Sequence, residues 1–318
     1  MTESVLVLGG YGAVGTELVE RLRTLGIGAL AAGRDRTRAD RVVDVTDPAS
    51  LTTALEGVSA VVNCTGTEDP AVAATVAGQG IPFVDITSTI EYVRQLEQID
   101  GPVLVGVGIA PGITSLLAVE AARGGGPVDV VIGFGAGEGG GPAGAAWMYG
   151  LFGKHFTDPD GSRVRNYTRP KRFELPEEAG YPRFPALRAD FADQYQLTAT
   201  LDVPVRSYLR TDSKLATIGL AALTWIPRVA ALLPDGDMPG GDRWVVAAHG
   251  ASGRSHWATA PGQSRSTAAV AAEAVRHLLR SPIDSPTWLH EWRKLDDLRE
   301  ALEGTGVEFG TGMATPTR

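Results

Sequence analysis

The sequence predicts an α/β protein: an N-terminal doubly wound parallel sheet followed by a second, mixed α/β region. Three observations predict it. Short apolar runs alternate with helical patterns on short connections through the first hundred or so residues. A glycine-rich loop, Gly9-Gly10-Tyr11-Gly12-Ala13-Val14-Gly15, joins the first apolar run to the first helical pattern. The chain has 318 residues, about twice a typical domain, which leaves room for a second core.

The elements follow in order. Ser4 to Leu8 reads as a fully apolar strand, and after the loop Val14, Leu18, Leu22 and Leu25 recur at helical spacing up to Gly26, a residue suited to a helix C-cap. Strands are predicted at Ile27 to Ala32, Arg41 to Val45, Ala60 to Cys64, Ile81 to Ile86 and Val103 to Val107. Helical crossovers are predicted at Pro48 to Leu55 and Asp69 to Gln79. The later strand candidates are Val128 to Phe134, Val203 to Leu209, Trp244 to Ala248 and Ser255 to Thr259, the last two forming a hairpin near Gly253. Ser266 would cap a helix through Leu279 with Val270, Ala274 and Leu278 on one stripe, and Pro282 stops it. Trp288, Trp292, Leu295, Leu298 and Leu302 mark one final helix ending near Gly304.

In such a sheet a ligand lies at the carboxyl ends of the strands. Gly10-x-Gly12-x-x-Gly15 follows a strand and opens a helix, the context in which this spacing signals a dinucleotide. Gly10 permits the tight turn, Gly12 lets the backbone approach a pyrophosphate, and Gly15 lets the helix pack against the sheet. The helix N-terminus then offers free N–H groups to phosphate. The second strand ends Ala31-Ala32-Gly33-Arg34-Asp35. Arg34 there favours NADP, because a guanidinium forks onto a 2′-phosphate, with Arg36 and Arg38 nearby; Asp35 would instead serve NAD or pair with Arg34. Asp44 and Val45 suit an adenine pocket, although a turn or capping aspartate fits Asp44 equally. Thr65, Gly66, Asp85 and Thr87 fall on the ligand rim, and Pro111-Gly112 reads as the start of a helix facing substrate or carboxamide.

These residues resemble the saccharopine dehydrogenase-like NADP-dependent reductases. VLVLGGYGAVG with AAGRD is similar to that family's Rossmann half, VVNCTG and FVDITS to its fourth and fifth strand ends, and GIAPGITSLLA to the turn leading into its catalytic half. The resemblance implies a Rossmann NADP(H)-binding domain at 1–112, a substrate, catalytic and dimerisation domain at 113–265, and C-terminal helices at 266–318 returning to the first half. It implies hydride transfer from NADPH to a C=N or C=O group of a small metabolite. Apolar residues after Pro111-Gly112-Ile113-Thr114-Ser115 depart from the polar set that would hold saccharopine. An enoyl reductase acting on an acyl or polyketide C=C bond, and a non-catalytic NADP-binding regulator, are the rival readings.

A proton donor is harder to read. Tyr149, Lys154 and His155 follow a glycine-rich turn and form the preferred cluster; a structural histidine is the plainer alternative for His155, His249 and His256, and His277 and His290 read as surface or packing residues. Arg163, Arg165, Arg169, Lys171 and Arg172 make a basic run around Tyr167, which reads either as an edge strand or as a dock for an anionic or acyl-linked substrate. Leu215 to Leu233 is nearly all apolar but broken by Pro227-Arg228, so it reads as a buried helix pair and no membrane span.

Composition limits the partners. A chain 43% hydrophobic and 21% charged is not a disordered one, and a net charge of −8 gives no global field for nucleic acid. The single cysteine, Cys64, excludes an intrachain disulfide and a cysteine-based metal cluster, and MTESVLVLGG carries no basic leader. The expectation is a cytoplasmic homodimer with no bound metal.

Overall fold

The computed structural model describes residues 4–137, 141–175, 185–230 and 240–313. The chain opens as predicted, with β1 (Ser4–Leu8), α1 (Ala13–Thr24), β2 (Gly28–Gly33) and β3 (Arg41–Val42). Next come α2 (Pro48–Ala54), β4 (Ala60–Asn63), α3 (Pro70–Ala77), β5 (Phe83–Asp85), α4 (Ile90–Leu96) and β6 (Val103–Val105). Two of the crossover helices start on Asp-Pro pairs. Asp47 accepts from the Ala49 amide and Asp69 from the Ala71 amide, each with proline in the first helical turn, where its missing N–H costs nothing.

The middle of the chain forms α5 (Thr114–Ala122), β7 (Val128–Phe134), α6 (Gly141–Gly150), β8 (His155–Thr157), β9 (Arg163–Arg165), β10 (Thr168–Lys171) and β11 (Ala186–Arg188). It continues through α7 (Ala192–Leu201), β12 (Val205–Thr211), α8 (Lys214–Leu223), α9 (Pro227–Ala230), β13 (Arg243–Gly250) and β14 (Arg254–Pro261). The last elements are α10 (Gln263–Leu278), β15 (Thr287–Trp288), α11 (Leu289–Trp292), α12 (Leu295–Ala301) and β16 (Glu308–Met313).

Contacts divide the chain into two compact units, 1–112 with 264–302 and 113–263 with 303–318. The first holds an all-parallel sheet in the order β15-β6-β5-β4-β1-β2-β3, the doubly wound arrangement, and its central strands β1 and β4 are buried. Helix α10 lies against α1 in this unit, where Arg21 pairs with the buried Glu273 at 3.3 Å. The second unit holds a mixed sheet, β10-β11-β12-β7-β13-β14-β16, in which, among the described residues, only β12 and β7 run parallel. Strands β8 and β9 form a separate two-stranded ribbon.

Three expectations change. The tail does not return whole to the first half, because β16 adds to the edge of the second sheet beside β14. The single closing helix is broken into β15, α11 and α12; the Trp288 indole bonds Glu97 at 2.7 Å, holding β15 as a seventh strand beside β6. The Leu215 to Leu233 segment is not buried as far as Arg228; residues 231–233 lie outside the described residues. Thr217, Leu220 and Thr224 are buried, while Leu215, Ile218, Trp225 and Ile226 are exposed. Among the described residues no helix is long and apolar enough to cross a membrane.

Candidate functional site

The loop between β1 and α1 is a backbone cradle. The amides of Gly9 and Gly10 both bond the Ala32 carbonyl, at 2.9 and 3.2 Å, pinning the turn to β2. A Cβ on Gly10 would lie 2.5 Å from the Ala31 Cα, and one on Gly15 would overlap the Gly9 carbonyl oxygen. Gly12 differs: it is exposed, and no side chain caps the helix that starts after it. The first-turn N–H groups of α1 are thus left for an outside acceptor, and this geometry fits a pyrophosphate.

The end of β2 closes one side of the cradle. The Tyr11 hydroxyl accepts from the Asp35 amide at 3.1 Å, and the Arg38 guanidinium bonds the Tyr11 carbonyl and sits 4.5 Å above its ring. The Asp35 carboxylate accepts from the Thr37 amide and hydroxyl at 2.9 and 2.7 Å, which holds its pKa below the usual value. Asp44 repeats this turn on Thr46, its pKa lowered by those bonds and by the charge of Arg34, with half-buried Val45 beside it. Arg34 is exposed and, among the described residues, forms no ion pair with Asp35.

The ends of β4 and β5 carry a network that sequence reasoning did not find. Asn63 donates to the Asp85 carboxyl at 2.9 Å and accepts from the Thr65 amide and hydroxyl at 3.2 and 2.7 Å. Asp85 also receives the Thr87 amide at 2.7 Å and the Tyr92 hydroxyl at 3.3 Å. Burial raises the Asp85 pKa against these bonds, and burial together with Asp85 pushes the Cys64 thiol up, so that sulfur is not a nucleophile. Asp85 therefore braces the Thr65-Gly66 and Thr87 rim from beneath. The helix expected at Pro111-Gly112 begins instead at Thr114, because Gly112 has a φ of +133°, outside helical space. In the second unit Asp193 receives the Thr114 and Ser115 hydroxyls at 2.7 and 3.1 Å, locking the start of α5, and burial raises its pKa. That pairing spans 79 residues and leaves no local signal in the sequence.

The proposed proton donors lie in the second unit. Tyr149, near the end of α6, stacks on Phe152 at 6.0 Å, while Lys154 and His155 are exposed at the start of β8. Among the described residues no hydrogen bond joins the three side chains. Local desolvation, then Arg163 and Arg165, lower the His155 pKa. The basic run splits between β9 and β10, both at sheet edges, with Arg172 just past the end of β10. Beside it lies a groove of about 860 Å³, whose walls include residues of β10 and α8. Among the described residues no group of His, Cys, Asp or Glu side chains is arranged to hold a metal ion.

This architecture has a known counterpart. The apo saccharopine dehydrogenase (L-Glu forming) of Saccharomyces cerevisiae matches with a TM-score of 0.64 over 99% of this chain and 100% of that one, at 14% identity. The chain has the saccharopine dehydrogenase fold. A DAP dehydrogenase from C. glutamicum matches with a TM-score of 0.49, at 16% identity, over 94% of this chain and 99% of that one. The profile of the NAD dependent epimerase/dehydratase family matches residues 5–81, the stretch from β1 through α3. No curated protein matches the sequence. The saccharopine dehydrogenase fold thus extends over both units, whereas the family profile covers only the cradle and the strands beside it.

Proposed function

We propose that this protein is an NADPH-dependent reductase that delivers hydride to a C=N or C=O group of a small metabolite. The observation that carries the reading is the uncapped glycine cradle before α1 with Arg34 exposed at the end of β2. Asp35 supports it from the other side, since one of its oxygens is committed to Thr37. Bound NADPH supplies the hydride; the protein orients it and supplies the proton that completes the amine or alcohol. The loop amides and the α1 N-terminus hold the pyrophosphate, Arg34 the 2′-phosphate, and Val45 packs on the adenine. Thr65, Gly66, Thr87 and the Pro111-Gly112 turn border the nicotinamide side. The yeast protein with this fold is named as a dehydrogenase, which supports the reading at the level of reaction class.

Fluorescence titration tests the cofactor. NADPH binds more tightly than NADH, and Arg34→Ala weakens NADPH roughly 10- to 100-fold, the worth of a charge-assisted pair, while leaving NADH unchanged. Equal affinity for the two cofactors in the unaltered protein overturns the NADP assignment.

Tyr149, Lys154 and His155 are proposed as the proton-donating group. Tyr149→Phe, Lys154→Met and His155→Gln are expected to leave NADPH affinity intact, and the variant lacking the donor loses about 10²- to 10⁴-fold in turnover. Full turnover in all three places the donor elsewhere.

A further inference from the structure

Helix α8 buries only Thr217 and Leu220 among its described side chains and leaves large apolar ones in solvent, unlike an ordinary surface helix. Its buried side carries Thr217, whose hydroxyl accepts from the Thr211 amide at 3.1 Å, and just past its end the Thr224 hydroxyl donates to the Asn166 carbonyl at 2.8 Å. Its outer side carries Leu215 and Ile218, continued by Trp225 and Ile226, which are 81%, 55%, 64% and 51% exposed. Scattered exposed apolar residues need no explanation, but a continuous stripe marks an interaction site.

The stripe borders a groove rather than a flat patch. Ile218, Ala221 and Trp225 face Phe173 and Leu187 across about 860 Å³, within the range of roughly 300–1,000 Å³ typical of small-ligand pockets. Its charged lining is three cations, Arg169, Arg172 and Lys214, against one acid, Glu174. Among the described residues Arg172 and Lys214 have no salt-bridge or hydrogen-bond partner, and both are exposed. A cationic groove in a chain of net charge −8 is complementary to an anion. A second copy presenting the same face would bring a second set of three cations into the interface with one acid to offset them, which disfavours a symmetric dimer here.

We propose that this groove binds an amphipathic anion, a long acyl chain ending in a carboxylate. The chain lies against Ile218, Ala221 and Trp225, and the carboxylate reaches Arg172 and Lys214. The site stands apart from the cofactor reading and is tested without cofactor. Purified protein is titrated with 9,10-dibromostearate below its critical micelle concentration, using bromine quenching of tryptophan, with calorimetry in parallel. Saturable quenching is expected, and Trp225→Phe removes most of it while calorimetric binding persists. The double variant Arg172→Glu/Lys214→Glu and the methyl ester of the ligand each weaken binding at least tenfold, and Ile218→Glu abolishes it. All substituted side chains are exposed, so circular dichroism and melting should match the unaltered protein. Absence of saturable quenching, unchanged quenching in Trp225→Phe, or equal affinity for the methyl ester overturns the proposal. So does binding confined to anionic phospholipid vesicles, or a dimer that Ile218→Glu dissolves without any acid binding.

Discussion

Gly15→Ala is expected to cost the first unit about 3 kcal/mol and to abolish dinucleotide binding, whereas Gly12→Ala should fold normally and lose only the ligand. The contrast follows from where each added methyl points. On Gly15 it meets backbone, the Gly9 carbonyl oxygen and the Gly10 Cα at 2.8 Å, and neither can swing away as a side chain would. Relief requires α1 to lift from the sheet, which exposes Leu18 and Leu22, both fully buried against it. On Gly12 the methyl meets only the Gly9 oxygen at 3.2 Å, and the backbone there, φ −80° and ψ −179°, is extended and open to alanine. The Gly12 methyl instead stands on the exposed side of the loop, where a pyrophosphate must approach the backbone. Thermal melts should therefore separate Gly15→Ala from the unaltered protein, and NADPH titration should separate Gly12→Ala by at least tenfold. An unaltered affinity in Gly12→Ala would mean that phosphate does not dock on this loop.

That loop was legible because its chemistry is local. Three glycines, the strand before them and the helix after them sit within about twenty residues, and each constraint selects residue types directly. The boundaries of β1 and β7 read correctly for the same reason, since a buried strand needs a contiguous apolar run. The misreadings share the opposite property. Strand β15 is two residues long and is held by a bond from Trp288 to Glu97 across 191 positions. Strand β16 reads EFGTGM, whose glycines leave no strand pattern, and Gly310 is required because the Trp257 ring fills the space a Cβ would take. Apolar content does not mean burial in α8: Thr217 turns inward to bond Thr211 and Ser213, and Thr224 to bond Gly153 and Asn166, the last two 71 and 58 positions away. Topology puts Asp85 at the ligand rim, and only its partners Asn63 and Tyr92 show that its carboxyl turns inward as a brace.

Mild acid should destabilise both units through two histidines. Burial lowers the His249 and His290 pKa values from the ordinary 6.5 to about 4. Asp129 partly opposes this at His249 while Lys171 adds to it, and Glu291 opposes it at His290. His249 stacks on Phe173 at 5.4 Å with its Nε2 shielded and, among the described residues, unbonded, and both ring nitrogens of His290 are shielded beside the Trp288 ring. Well above pH 6.5, as at pH 7.5, both states are largely deprotonated and the histidines cost almost nothing in charge. As the pH falls from 6.5 towards 4, the unfolded chain takes up protons that the folded chain refuses, and stability is lost across that window. By pH 5 the loss is about 2 kcal/mol for each histidine. His290 lies in the first unit and His249 in the second, so each shift belongs to its own unit. Buried Asp85 and Asp193 act in the opposite sense: their raised pKa values make stability fall as the pH climbs past the ordinary 3.8, so wild-type data alone mix both trends. Phenylalanine replacements isolate the histidines. Urea melts at pH 7.5 and 5.0 should show His249→Phe and His290→Phe each removing about 2 kcal/mol of the acid loss. His290→Phe should in addition be at least as stable as the unaltered protein at pH 7.5, because it removes two buried nitrogens that have no partner among the described residues. An acid loss that is the same size in both variants as in the parent would show these rings to be solvated and titrating normally.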